Sequence, residues 1–330
     1  MTRNLFTRLA AAAAVVAPLA VAPPAAAFTP SSPECIAPAG PGGGWDFTCR
    51  SVGKLLTDQG LVDGQVQVVN MAGGVGAVAF GNVASKRPDE GDLFVATSTV
   101  GITQIAQGRY PGGIDTMRWL AMLGADVGVV LVPAESEFES LADLTDTLAE
   151  DPGSVAVGGS SGVGGWDHIR LLLLAQEAGM SQDALKEIRW VQYSGGSDAV
   201  TQMLGGHIGA VTTDIGEITS FIEAGDARVL AVMADERLEA FPDAPTAMEQ
   251  GFDVTGYNWR GFYMGGDVSD EAYDWWVDTM RTLYETEEWK ETAVRNGLTP
   301  IWRGGEDFVA FVRESEENMR DISKAIGVIQ

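Results

Sequence analysis

Histidine and cysteine are nearly absent from this sequence, with two residues of each among 330. A protein metal site usually takes three or four histidine, cysteine or acidic ligands, and the two histidines, His168 and His207, stand far apart in the chain. The zinc-protease motif H-E-x-x-H is missing as well. The sequence therefore predicts no metal site, no catalytic residue and no enzyme activity.

Basic residues are also scarce, since 21 lysines and arginines stand against 46 aspartates and glutamates, a formal net charge of −25. Such a surface repels phosphate backbones and anionic headgroups, which excludes a nucleic-acid binder and a peripheral membrane protein. The remaining composition, 45% hydrophobic and 20% charged, is that of a globular chain. A length of 330 residues suits two α/β domains rather than one small core.

Long apolar segments are missing too, except at the N-terminus. There two arginines precede an apolar run over residues 9–22, and a small-residue cleavage site ends at Ala27. These are the parts of a secretory signal peptide, so we expect cleavage near Ala27 and a periplasmic mature chain. A transmembrane anchor is the alternative, but the run is shorter than the about 20 residues that a span needs. No later segment reaches about 18 apolar residues, so no membrane insertion is expected.

Export places Cys35 and Cys49 in an oxidising compartment, which favours a disulfide between them. The pattern, however, places Cys35 in a strand and Cys49 about one turn into the next helix. Strand and helix layers lie about 10 Å apart, whereas a disulfide needs Cα atoms within about 7 Å. A disulfide therefore requires the helix start to lean onto the strand, and two buried thiols are the alternative.

Strands alternate with helices along most of the chain, which predicts an α/β fold with parallel-rich sheets flanked by helices. Glycine-rich or hydroxyl-rich loops follow four strands, at residues 41–46, 97–99, 158–162 and 193–197. In open α/β sheets, ligands lie beyond the carboxyl ends of the strands, where these loops stand. Two amphipathic C-terminal segments, residues 272–288 and 308–326, carry no such loop and are predicted to be covering helices.

The four loops combine helix starts, backbone N–H groups and hydroxyls, a combination that binds anions without formal charge. The alternative is that each glycine only makes a tight turn between strand and helix. Arg50 is the basic residue nearest to these loops in the sequence, so we expect binding to rest on unpaired amides and hydroxyls. Asp46 either complements its helix start or bonds back to the loop, and Asp214 either accepts a ligand hydroxyl or caps a helix.

Residues 74–79 match the dinucleotide fingerprint G-x-G-x-x-[GA] after a predicted strand. That motif needs an acid near the end of the following strand, where this chain has the hydroxyl-rich sequence LFVATST. We therefore expect no dinucleotide and no other cofactor.

The chain resembles the Bug-type periplasmic receptors of tripartite tricarboxylate transporters, within their citrate or tricarboxylate branch. The segments that carry the resemblance are ECIAPAGPGGGWDFTCR, VVNMAGGVGAVAF, RWLAMLGADVGVVLV, YSGGSDAVTQMLGGHIGAVTTD, RVLAVMADERLEAFPDAPTAMEQGFDV and RGFYMGG. They span nearly the whole mature chain in order. The sequence YSGG around Tyr193 departs from the longer glycine run that is usual in this branch.

The resemblance implies a two-domain Venus-flytrap fold of the type II periplasmic-binding class. Domain I would comprise residues 28–132 plus 241–330, domain II residues 133–240, and the ligand cleft would lie between them. Together with the loops, it implies these ligand-binding residues: Gly42, Gly43, Gly44, Trp45, Asp46, Thr97, Ser98, Gly159, Ser160, Ser161, Gly162, Tyr193, Gly195 and Asp214.

The resemblance also implies a function. A monomer would capture a citrate-like di- or tricarboxylate by domain closure and deliver it to one large and one small integral-membrane transporter subunit. The alternatives are a carboxylate-sensing partner of a membrane sensor kinase and, with less support, an exported hydrolase or isomerase.

Overall fold

The computed structural model describes residues 28–42 and 44–330. The predicted signal peptide, residues 1–27, and Gly43 lie outside the described residues. Within the described part, the chain forms ten strands, β1 (Glu34–Ala37), β2 (Gln67–Asn70), β3 (Leu93–Ser98), β4 (Met117–Pro133), β5 (Val157–Gly159), β6 (Trp190–Gln192), β7 (Ala210–Asp214), β8 (Ala227–Val232), β9 (Tyr257–Gly265) and β10 (Arg303–Gly304).

The same residues form eleven α-helices, α1 (Gly44–Asp58), α2 (Ala77–Lys86), α3 (Thr99–Ala106), α4 (Leu141–Glu150), α5 (Trp166–Glu177), α6 (Gln182–Glu187), α7 (Gly196–Leu204), α8 (Thr219–Glu223), α9 (Asp270–Glu285), α10 (Glu287–Arg295) and α11 (Glu306–Ala325). Among the helices of residues 28–42 and 44–330, none is both long and apolar enough to cross a membrane.

The strands form one mixed sheet in the order β2-β1-β3-β9-β4-β7-β5-β6, with β8 and β10 paired to β4. The outer strands pair in parallel, β1 with β2 and β3, and β5 with β6 and β7. In the middle, β4 and β9 run antiparallel to their neighbours. The α/β class is confirmed, whereas the long antiparallel centre was not predicted from the sequence.

Strand β4 connects the two halves of the sheet. Its 17 residues are almost all buried, as expected of a strand covered on both faces. The first half pairs with β9 and β10, and the second half with β7 and β8. The strands β5 to β8 all fall within residues 133–240, the range expected for domain II. The exact domain limits stay a prediction.

The two C-terminal covering helices are confirmed as α9 and α11, within a few residues of the predicted ranges. Each buries one face and begins with two acidic residues, which complement the positive helix N-terminus. In α9, the Tyr273 hydroxyl donates to the Trp119 carbonyl of β4 at 2.7 Å, and Trp276 is fully buried. These helices therefore pack against the central strands, α9 on β4 and α11 on β4 and on Trp259 of β9.

Cys35 and Cys49 form a disulfide, with their Cα atoms 5.7 Å apart. Both residues are fully buried, Cys35 in β1 and Cys49 in the second turn of α1. The first turns of α1 therefore lie closer to the sheet than the spacing of full layers suggests. Because the helix is anchored in this way, the loop between β1 and α1 has a fixed position.

Removing this disulfide is expected to lower the free energy of unfolding by about 3 kcal/mol, because the bond closes a loop of about 15 residues in the unfolded chain. Urea unfolding of the double variant Cys35→Ala/Cys49→Ala tests this against the oxidised wild type. Reducing agent should destabilise the wild type and leave the double variant unchanged. A loss below about 1 kcal/mol in both experiments would contradict the prediction.

Candidate functional site

A cavity of about 200 Å³ lies where the loops after β3, β5 and β7 meet. Its lining residues are Val100, Thr103, Gln104, Ser160, Ser161, Gly165, Trp166, Asp167, Asp214, Glu217 and Asn258. The wall thus includes α3 from one half of the sheet and the start of α5 from the other. Of the residues predicted from the sequence, Ser160, Ser161 and Asp214 line this cavity.

The first glycine loop is closed by its own acid, Asp46. The buried Asp46 carboxylate accepts hydrogen bonds from the Gly42 amide at 2.8 Å and the Asn70 side chain at 2.7 Å, and it pairs with Arg50. The hydrogen bonds from Arg50, Gly42 and Asn70 outweigh burial and lower the pKa of Asp46 to about 2. Asp46 therefore bonds back to the loop, one of the two roles considered for it.

Trp45 and Ser98 connect the first loop to the second. The Trp45 Nε1–H donates to Ser98 Oγ at 3.1 Å, and Ser98 Oγ also caps α3 by accepting from the Val100 amide. Thr97 is buried and faces away from this contact, since a Cβ on Gly101 would lie 2.6 Å from its Oγ1. Trp45 and Ser98 thus hold two loops together, and Thr97 packs beneath α3.

A second acid, Asp167, closes the third loop. Its Oδ2 accepts from the Ser160 amide at 2.8 Å and the Ser160 hydroxyl at 2.5 Å. Ser161 Oγ in turn accepts from the Asp167 amide at 3.0 Å. Gly159 lets the start of the third loop pack closely against β7, because a Cβ at this position would lie 2.7 Å from the Thr212 carbonyl oxygen. The hydroxyls of the third loop are therefore held in place by the first turn of α5.

The third loop also matches the nucleophile-elbow motif G-x-S-x-G, since residues 158–162 read GGSSG. A serine nucleophile needs a base, commonly histidine, on its hydroxyl. Ser160 Oγ instead donates to Asp167, and His168 Nδ1 accepts from the Gly164 amide at 3.0 Å. Burial lowers the pKa of His168 to about 4. This geometry is that of a fixed binding loop and not of an activated serine.

The fourth loop is closed by Glu217, which lies on a 3-10 turn after β7. The Gly196 amide donates to the Glu217 carboxylate at 2.5 Å, and the Ser197 hydroxyl donates to the Glu217 carbonyl at 2.6 Å. Burial and the nearby carboxylates of Asp214 and Asp167 raise the pKa of Glu217, while the Gly196 N–H opposes the shift. Glu217 is therefore an acid that lines the cavity in contact with a loop amide.

The other predicted residues that the structure describes do not line the cavity. The ring of Tyr193 packs over Gly158, where a Cβ would lie 2.9 Å from it. Gly195 is the N-cap of α7, and Gly162 stands beside the side chain of Gln192. Gly44 begins α1 next to Arg260. Tyr193 is thus a packing residue in this structure, whereas the glycines shape the loops.

In the first, third and fourth loops, a carboxylate of the protein already accepts a hydrogen bond from a backbone amide. From the sequence we expected unpaired N–H groups, but the amides of Gly42, Ser160 and Gly196 are all paired. Asp46 and Asp167 stand in the first turn of a helix, where the helix dipole favours negative charge. They therefore accept hydrogen bonds from loop amides that a ligand would otherwise use. A bound anion therefore needs further donors.

Those donors come from β9, which we did not include in the site from the sequence. Asn258 and Arg260 are two residues apart on β9, so their side chains share one face of the sheet. Asn258 Nδ2 donates to Asp214 Oδ2 at 2.7 Å, and the buried Arg170 donates to Asp214 Oδ1 at 2.5 Å. Asp214 is thus held by an ion pair and makes no side-chain helix cap.

Arg260 presents a partly buried guanidinium beside the start of α1. Its Nη1 donates to Asn258 Oδ1 at 2.7 Å and to nearby carbonyls, while its Nε and Nη2 have no hydrogen-bond partner among the described residues. A Cβ on Gly44 would lie 3.6 Å from Nε and 3.7 Å from Nη2. Burial lowers the pKa of Arg260, but an arginine stays charged at neutral pH. These two N–H groups lie along one edge of the guanidinium, the arrangement that pairs with the two oxygens of a carboxylate.

The fold found in this chain is that of two-domain periplasmic binding proteins. A TctC solute-binding protein from Polaromonas superimposes with a TM-score of 0.80 at 22% identity, over 90% of this chain and 99% of that one. MatC from Rhodopseudomonas palustris with bound malate gives 0.62 at 17% identity, covering 88% and 98%. An R. palustris protein with adipate gives 0.63 at 19% identity, covering 90% and 97%. This chain therefore shares its fold with a solute-binding protein.

Sequence comparison identifies the family. Residues 57–328 match the tripartite tricarboxylate transporter family receptor, so the chain belongs to that family. A UPF0065 protein of Bordetella pertussis strain Tohama I is 25% identical over 309 residues, which cover 91% of each chain. Protein BugT of the same strain is 28% identical over 256 residues, 76% of this chain and 75% of BugT. The predicted Bug-type receptor is confirmed.

Proposed function

We propose that this receptor captures a di- or tricarboxylate, with citrate as the leading candidate, and delivers it to the large and small membrane subunits of a tripartite tricarboxylate transporter. The observation that carries the proposal is Arg260, whose Nε and Nη2 stand side by side next to the N-terminus of α1. A planar guanidinium with two adjacent N–H groups matches the two oxygens of a carboxylate. The malate and adipate found in two proteins of this fold are ligands of the same kind.

Capture is proposed to occur by closure of two domains, residues 28–132 plus 241–330 and residues 133–240, in a monomer. The cavity is lined by α3 on one side and by the start of α5 and Asp214 on the other. A ligand that contacts both sides stabilises the closed arrangement, because its contacts are complete only there. Export with removal of residues 1–27 near Ala27 belongs to the same proposal.

Citrate, malate or adipate is expected to raise the melting temperature of the mature protein, whereas glucose and choline are not. A ligand at about 100 times its dissociation constant stabilises the folded state by about 2.7 kcal/mol. A thermal-shift screen followed by calorimetry measures this effect. A shift with glucose alone would contradict the carboxylate ligand. Carboxylate uptake that survives deletion of the gene would instead favour the sensor role.

A further inference from the structure

Four acids, Asp126, Asp167, Asp214 and Glu217, lie at or beside the cavity, and the proposed ligand would add more negative charge. Asp167 and Asp214 share the buried guanidinium of Arg170. Asp126 and Glu217 accept only backbone amides and have no basic partner at hydrogen-bond distance within residues 28–42 and 44–330. A dianion or trianion beside these groups meets like charges, unless one of the acids becomes neutral.

Asp126 is the acid whose position fits that role. It lies on β4 directly opposite the cavity-lining Asn258 of β9, so the two side chains share one face of the sheet. Asp126 is partly exposed, and its Oδ1 accepts one hydrogen bond, from the Gly216 amide at 3.1 Å. Gly216 permits this contact, because a Cβ there would lie 2.9 Å from Asp126 Oδ2 and 3.2 Å from the Gly297 carbonyl oxygen.

Charged groups reach Asp126 from each neighbouring element. They are Asp214 at the end of β7, Arg260 on β9 and Arg170 on α5. Glu217 follows Gly216 on the 3-10 turn, and the Gly297 carbonyl after α10 lies against Gly216. Burial and the charge of Asp214 raise the pKa of Asp126 to about 7, although the Gly216 amide and the two arginines oppose the shift.

We propose that Asp126 is a ligand-binding residue that acts as a neutral carboxylic acid: its protonated carboxyl donates one O–H···O hydrogen bond to a ligand carboxylate, and at alkaline pH, where the free receptor has lost this proton, binding takes up one proton from solvent. This inference rests on the proposed function, because it takes the ligand to be a di- or tricarboxylate. The proton is bound on an Asp126 oxygen, no covalent bond forms between protein and ligand, and release of the ligand returns the proton.

The direction in which pH changes the ligand affinity follows from the negative charge of the ligand. A ligand carboxylate next to Asp126 favours the protonated form, so binding raises the pKa of Asp126 above its value in the free receptor. Well below pH 7 the proton is present in both states and none is taken up. Above about pH 7 the free receptor loses the proton, and the affinity falls by up to tenfold for each further pH unit.

Calorimetry at about pH 8 in phosphate and in Tris, whose ionisation enthalpies differ, measures the protons taken up. Adipate and malate are suitable probes, because aliphatic carboxyls of their kind are fully ionised at that pH. We expect close to one proton for the wild type. Asp126→Asn keeps a donor but cannot titrate, so we expect no uptake and an affinity that is constant from about pH 6 to pH 8. Asp183→Asn, the same change at an exposed acid that does not line the cavity, is the matched control and should keep the uptake.

The outcomes separate this inference from the function on which it rests. Carboxylate binding without proton uptake in the wild type leaves the receptor function intact and overturns the role of Asp126. Uptake that persists in Asp126→Asn, or disappears in Asp183→Asn, overturns it as well. Absence of binding by every carboxylate at every pH overturns both proposals. If Asp126→Asn does not fold, the wild-type pH profile decides, since an affinity that stays flat above pH 7 contradicts the proposal.

Discussion

Replacing Arg260 with alanine is expected to weaken binding of citrate, malate or adipate by at least about a hundredfold. The guanidinium is partly buried, lies near Asp126 and Asp214 and has two N–H groups without a partner among the described residues. Truncating one partner of a buried, hydrogen-bonded charge pair costs about 2–5 kcal/mol, because the other charge is left in the site unpaired. The negative charge of Asp214 then acts on the ligand without the nearby guanidinium of Arg260. Calorimetry of the variant against the wild type measures the loss.

Two further variants test whether the loss of affinity is specific to the Arg260 guanidinium. Arg50→Ala removes an arginine that is 54% exposed and pairs with Asp46, so we expect the affinity to change by less than about threefold. Arg260→Lys keeps the charge and loses the planar pair of donors, so an intermediate loss of about tenfold is expected. Urea unfolding must show that Arg260→Ala remains folded. Equal effects of Arg50→Ala and Arg260→Ala would contradict a carboxylate site at β9.

The part of the site that lies next to local sequence signals could be predicted. Ser160 and Ser161 follow a short buried strand within a glycine-rich loop, and Asp214 ends an apolar strand. Side chains at these places reach the carboxyl edge of a sheet whichever strands pair with each other. These three residues could therefore be placed at the cavity before any strand order was known, while their role in ligand binding stays a prediction.

Of the acids that close the loops, Asp46 was named from the sequence with two alternative roles, and Asp167 was not named. Asp46 and Asp167 stand in the first turns of α1 and α5, where an acid complements the helix dipole. Whether such an acid bonds to the loop or leaves it open for a ligand depends on side-chain geometry of a few tenths of an ångström. Sequence patterns do not contain that information, so the loop amides were wrongly expected to be unpaired.

The positions of Arg260 and Asp126 could not be predicted from the sequence, because they depend on pairing between distant strands. Arg260 pairs with Ser98 on one side and with Gly124 on the other, both more than a hundred positions away in the chain. A signal was nevertheless present. Asp126 is the lone charge within the apolar sequence WLAMLGADVGVVLV. A charge in a buried strand is costly unless it has a partner or a function, so it marks a candidate site residue.

Replacing Arg170 with methionine is expected to lower the free energy of unfolding by about 3–5 kcal/mol. The Arg170 side chain is fully buried between Asp167 and Asp214, with Nη1 at 2.5 Å from the Asp214 carboxylate. Without the guanidinium, two carboxylates stay in the interior with no counter-charge. Asp167 holds Ser160 and Asp214 holds Asn258, so ligand binding should weaken with stability.

The charge explanation is tested by removing the acids as well. The triple variant Arg170→Met/Asp167→Asn/Asp214→Asn carries no buried charge at this place, so it should regain much of the stability lost in Arg170→Met, while an effect of side-chain volume alone would remain. Lys186→Ala is the matched control, because Lys186 pairs with Asp183 three positions away, as Arg170 does with Asp167, but at the surface. That change should cost less than about 1 kcal/mol. A loss of the same small size for Arg170→Met would show that Asp167 and Asp214 are solvated well enough to hold the cleft loops without the buried arginine.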